Sequence, residues 1–120
     1  MATPLDPQFQ QRVSDSFARQ QAMSSLGIEL ASVEAGRVCL SMPYQGEYTQ
    51  QHGFIHAGII STALDSACGY AAFSLMPADA AVLSIEFKVN LLSPARGSHF
   101  RFEAEVLKPG RTITVAEAKA

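Results

Sequence analysis

The chain has 120 residues and a mass of 12.9 kDa, and 48% of its residues are hydrophobic, enough for one domain to bury a core without disulfides. Nine Lys+Arg against eleven Asp+Glu give a net charge of −2 with no basic block. This excludes a general nucleic-acid binder, because affinity for a phosphate backbone comes from clustered cations.

Asp6-Pro7 suits a helix start, since Asp caps free amides and Pro is preset for the first turn. Phe9, Val13 and Phe17 recur at i, i+4 and i+8, predicting an amphipathic helix over about residues 7–23 within an N-terminal helical segment, 1–25. Ile28, Leu30, Val38, Leu40 and Met42 alternate on either side of Glu34-Ala35-Gly36-Arg37 and read as a hairpin. Residues 43–54 form a loop carrying Tyr48, Gln50, Gln51 and His52. A long helix follows from about 57 to 76, closed by Pro77 and rich in Ala, Gly and Ser, so that other elements can wrap closely around it.

Residues 82–92 alternate, with Ile85, Phe87, Val89 and Leu91 on one side and Ser84, Glu86, Lys88 and Asn90 on the other. They predict a strand. Phe100, Phe102, Ala104 and Val106 repeat the pattern after a turn at 94–97, and a third strand is expected from near Arg111. The last strand reaches Ala120 with no turn or breaker, so a continuation beyond it is expected. Helix, hairpin, long helix and antiparallel meander make one α+β domain over 1–120.

From Ile55 to Ala78 the one residue charged by default is Asp65. A carboxylate near the middle of a bilayer span costs about 2.5–3.5 kcal/mol, so this stretch reads as a buried helix rather than a membrane crossing. Cys39 and Cys68 have no C-x-x-C spacing and no His/Cys cluster, so neither a zinc site nor a disulfide framework is expected. The N-terminus lacks a charged region followed by an apolar run, so a cytoplasmic location is expected.

Asp65 is the most informative residue. An acid within an apolar helix costs stability unless it is paired or hydrogen-bonded. It is read either as a group used in chemistry, as a carboxylate held by Ser61 or Ser66, or as a polar device at a subunit contact. His56 stands at the start of the same helix, where first-turn amides have no helical partner. Ala57 and Gly58 carry little side chain, so a carbonyl oxygen can approach those amides as in an oxyanion hole; the plainer reading of His56 is a cap. His52 and His99 read as loop histidines. No phosphate loop, metal motif or nucleophile elbow is present, leaving acid/base and polarising chemistry and requiring no cofactor.

His56-Ala57-Gly58, with Gly53 three before and Asp65 nine after, followed by Ser84-Ile85-Glu86-Phe87-Lys88-Val89-Asn90-Leu91-Leu92-Ser93-Pro94-Ala95 and Gly97, resembles the hot-dog-fold acyl-CoA thioesterases of the phenylacetic-acid-degradation (PaaI-like) type. The resemblance covers about residues 26–120. It implies an antiparallel sheet wrapped around one long central helix and hydrolysis of an acyl- or aroyl-CoA. Asp65 would be general base or nucleophile, the Ala57 amide would polarise the thioester carbonyl, and His56 would fix that carbonyl and the helix start. Gln50, where the family commonly has Asn, or its neighbour Gln51, would supply a polar contact; Ser84 would help hold the water, although alternation sets it opposite the Ile85/Phe87 stripe.

Gly58 would add a second amide. Arg96 and Arg111, each beside a turn, are candidates to hold CoA phosphates. The active unit is expected to be a homodimer or homotetramer, because Asp65 lies nine residues, about 13 Å, along the helix from His56. The alternatives are a non-catalytic acyl-CoA sensor and a hot-dog dehydratase of hydroxyacyl thioesters.

Overall fold

A computed structural model describes residues 3–120. The N-terminal segment is helical in two pieces, α1 (Phe9–Arg19) and α2 (Gln21–Ser25), rather than one helix over 7–23. The break falls at Gln20, whose backbone is extended (φ −82°, ψ 98°). Asp6 caps the turn ahead of α1: its Oδ1 accepts from the Gln8 N–H at 2.9 Å, and its carbonyl accepts from the Phe9 N–H.

The predicted hairpin forms as β1 (Glu29–Glu34) and β2 (Arg37–Pro43). Gly36 takes φ +77° at its turn, where a side chain would be strained. The long helix is α3 (Ala57–Phe73), followed by β3 (His99–Lys108) and β4 (Val115–Lys119). The sheet is antiparallel in the order β1-β2-β3-β4, with Leu40 opposite Phe102 and Ala104 opposite Ala118.

Ala63, Ala67 and Ala71 form a fully buried stripe along α3. At i, i+4 and i+8 these small side chains share one face, so α3 can lie close to the sheet. Val38, Leu40, Met42, Phe102 and Ala104 supply the facing core residues. The other side of α3 is held by the N-terminal segment. Arg12 Nη2 donates to the Phe73 and Met76 carbonyls at 3.1 and 2.8 Å, its Nε pairs with Asp6 Oδ2 at 2.8 Å, and its guanidinium lies over the Phe73 ring. Ser16 bonds the Tyr70 hydroxyl and Gln20 accepts from Ser66. Positions 12, 16 and 20 thus run antiparallel to 73–76, 70 and 66.

The expected strand over 82–92 does not form; residues 81–92 have no regular secondary structure and pair with no strand among the described residues. Leu83, Ile85, Phe87, Leu91 and Leu92 are between 61% and 90% exposed. Period-two alternation shows that a segment can present one apolar face, but it names no hydrogen-bonding neighbour, and all four strands of the sheet are already arranged without this one. Its ends are anchored: Val82 and Ala95 pack against the core, and the Ala95 carbonyl accepts from the Ile55 N–H at 3.2 Å. The final strand begins at Val115 rather than near Arg111. No helix among the described residues is long and apolar enough to cross a membrane.

Candidate active site

The loop before α3 is folded by its own polar groups. Gln50 Oε1 accepts from the His52 and Phe54 N–H groups at 2.6 and 3.2 Å, while its backbone N–H donates to the Phe54 carbonyl. Gly53 completes the turn at φ +85° and its carbonyl accepts from the Tyr44 hydroxyl at 3.0 Å. The oxygen of the Gln50 amide therefore shapes the loop and is not left for a ligand. Gln51 is exposed beside it. Tyr44 was not legible as a loop anchor, since nothing in local spacing pairs it with Gly53.

His56 is the N-cap of α3. Its backbone N–H donates to the Tyr48 carbonyl at 2.8 Å, and its Nδ1 accepts from the Gly58 N–H at 2.8 Å. An accepting Nδ1 puts the proton of the neutral ring on Nε2, which points the donor end of the imidazole away from the cap. A Cβ at position 58 would stand 3.0 Å from that Nδ1, which explains Gly58. The expected pair of oxyanion donors narrows accordingly: the Gly58 amide is occupied, while nothing among the described residues accepts from the Ala57 N–H. The Ala57 amide is thus an open donor at the positive end of the α3 dipole.

Asp65 lies half-buried in the middle of α3. Neither Ser61 nor Ser66 holds it, because Ser61 donates to the Ala57 carbonyl at 2.8 Å and Ser66 to Gln20 Oε1 at 3.2 Å. Its partner is Ser84, whose Oγ donates to Asp65 Oδ1 at 2.6 Å. Ser84 reaches the acid because the segment is not held in sheet register, so strict alternation does not decide which way its side chain turns.

Cys68 and Gly69, three and four residues after Asp65, share its helix face. Burial pushes the Cys68 thiol up to about 11, helped by the charges of Asp65 and Glu117, so it is a neutral, half-buried wall rather than a nucleophile. Their i+3 and i+4 spacing was the available signal for this neighbourhood.

Arg96 stands with its guanidinium carbon 5.3 Å from the centre of the Phe54 ring, which puts it beside the His56 loop. Arg111 is exposed in the β3–β4 connection and makes no side-chain hydrogen bond or ion pair to that loop or to Asp65 among the described residues. A surface groove of about 390 Å³ lies on the sheet between Arg37, Arg101, Glu105 and Glu117 and contains none of these groups. No cluster of His, Cys, Asp or Glu among the described residues could hold a metal ion.

Within one chain the open amide and the acid are thus two half-sites at different heights on one helix. The model of the thioesterase superfamily matches residues 52–120, from the loop through α3 to the end of the chain. This chain belongs to the thioesterase superfamily. Its reaction class is thioester hydrolysis.

An esterase-named protein of Saccharolobus solfataricus is 35% identical over 97 residues, covering 81% of this chain and 69% of that one. Acyl-coenzyme A thioesterase 13 of Homo sapiens is 30% identical over 87 residues, covering 72% of this chain and 61% of that protein. The thioesterase thus spans about two thirds of the length of these relatives. A thioesterase family protein from Silicibacter pomeroyi shares 64% identity and a TM-score of 0.91 over 92% of this chain and 81% of that one. The E. coli PaaI protein of the phenylacetic acid degradation operon superposes with a TM-score of 0.80 at 20% identity, over 95% of this chain and 91% of that one, and shares its fold. The thioesterase has the hot-dog fold expected from the sequence, with α3 as the central helix.

Proposed function

We propose that this thioesterase hydrolyses an acyl- or aroyl-CoA to the free acid and CoA. The observation that carries the reading is the division of polar groups along α3: an oriented, unoccupied amide at its first turn and a hydroxyl-held carboxylate about two turns further on. The first suits a developing oxyanion and the second a general base. The acyl-CoA class is supported by the similarity to human acyl-coenzyme A thioesterase 13.

In this mechanism the thioester carbonyl oxygen accepts from the Ala57 N–H, with the His56 ring beside it. Asp65 takes a proton from water as the water oxygen bonds to the carbonyl carbon, and Ser84 fixes the carboxylate. Collapse of the tetrahedral intermediate breaks the carbon–sulfur bond, and the departing thiolate recovers the proton. Asp65 acting as nucleophile through an anhydride gives the same products. Gln50, with Gln51 next to it, keeps the loop in the shape that presents His56. Arg96 takes a CoA phosphate as a solvent-exposed cation at the edge of the loop, and Arg111 is the second candidate.

The two half-sites meet between subunits of a homodimer, or of a homotetramer built from such dimers. Support comes from the unpaired segment 81–92: its exposed apolar side chains and open backbone suit burial against a second copy. Cys39 and Cys68, both free thiols, fit a reducing cytoplasm.

The test is incubation of the purified protein with a panel of acyl- and aroyl-CoA thioesters and a thiol reagent. Release of free CoA supports the reading. Binding without release would make the protein an acyl-CoA sensor, and enoyl formation from hydroxyacyl-CoA would make it a dehydratase.

A further inference from the structure

Gly69 has no structural use within the protomer. It lies inside α3 without a positive φ, and a Cβ built on it meets nothing within 4 Å. Glycine is a poorer helix former than alanine, so an interior helical glycine that nothing crowds destabilises the helix without a packing gain. Gly58 differs, because the His56 ring occupies the space its side chain would take, and so does Gly36, because its backbone requires it.

Position 69 is one turn beyond Asp65 on the same helix face, where Cβ atoms stand about 5–6 Å apart. Cys68, three residues after Asp65, lies on that face too. A carbonyl carbon under attack lies about 3–3.5 Å from the attacking oxygen, which is the water held by Asp65 or, in the anhydride route, Asp65 itself. The atoms carried by the α-carbon of the acyl group then fall at the distance of residue 69.

We infer that Gly69 is a specificity-determining residue, leaving room beside Asp65 for acyl groups with bulk at the α-carbon, such as an aryl ring or a branch. The inference rests on the proposed role of Asp65 and adds the shape of the acyl group admitted there. A straight chain has one thin methylene at that point and does not need the space. The competing use of Gly69 is close approach of a second subunit's backbone, which the experiment separates.

Gly69→Ala and Gly69→Val are compared with the wild type for kcat/KM on butyryl-, isobutyryl- and benzoyl-CoA, together with solution mass and thermal midpoint. The expected result is that valine lowers the isobutyryl-to-butyryl and benzoyl-to-butyryl ratios by about tenfold or more. Alanine lowers them less, with unchanged mass and a midpoint equal to or above wild type. Ratios that stay constant, an equal fall on all three substrates, or a change in mass would overturn it. Should the valine variant fail to fold, the alanine ratios decide alone. A wild type that cleaves butyryl-CoA and neither bulky substrate also refutes it. A wild type that cleaves no CoA thioester removes the functional reading, and this inference with it.

Discussion

A half-buried carboxylate within a helix has to be held, and Asp65 is held by a hydroxyl 19 residues away rather than by the serines on its own helix. Removing the charge while keeping the shape isolates its role: Asp65→Asn should lower kcat by about 10²–10⁴, the value of a positioned base, with circular dichroism and solution mass unchanged. Ser84→Ala should lower kcat by about 10–100-fold, the equivalent of one hydrogen bond to a charged group, and Ser84→Thr should restore most of it. Near-native turnover in the Asn variant would make Asp65 a structural acid. The sequence exposed Asp65 and His56 because an acid in an apolar helix and a polar residue at a helix start each break a local pattern. The family resemblance put Ser84 at the site, but no local pattern gave its contact with Asp65, which is fixed by how a segment without sheet partners crosses the helix, nor the capture of the Gly58 amide by His56 Nδ1, which depends on a rotamer.

At the scale of elements, α1 is bound to α3 through Arg12, whose charge completes two carbonyls at the α3 C-terminus. That end of a helix leaves carbonyls unpaired and favours a cation. Arg12→Ala should destabilise the fold by about 2 kcal/mol through those lost bonds and should raise amide exchange in α1 first. The clamp also depends on pH. Asp6 is held below the usual carboxylate range by the Gln8 N–H and then by Arg12. Its contribution is therefore present above about pH 4 and is lost as pH falls through the lowered value, so acid should release α1 before α3 unfolds. Equal acid sensitivity in wild type and Asp6→Asn would contradict this. The periodicity of Phe9, Val13 and Phe17 announced α1, whereas the extended Gln20 that divides it from α2 had no Gly or Pro to mark it. The hairpin and α3 were legible because their alternation and small-residue stripe have partners within the chain. The 82–92 pattern was equally clear as periodicity and misled, because its backbone has no partner among the strands of this sheet.

For the whole molecule, the proposed function makes one claim: that the reaction centre is assembled from the amide end of one subunit's α3 and Asp65 of another's. Burying five exposed apolar side chains of 81–92 would also remove the surface that a lone protomer leaves to water. Co-assembly of Asp65→Asn and His56→Ala subunits tests the claim most directly. Each variant alone should have low kcat against a CoA thioester. Random pairing at equal amounts produces hybrids with one intact centre out of two, so the mixture should regain roughly a quarter of wild-type activity. A mixture no more active than the average of the two variants would contradict a centre shared between subunits.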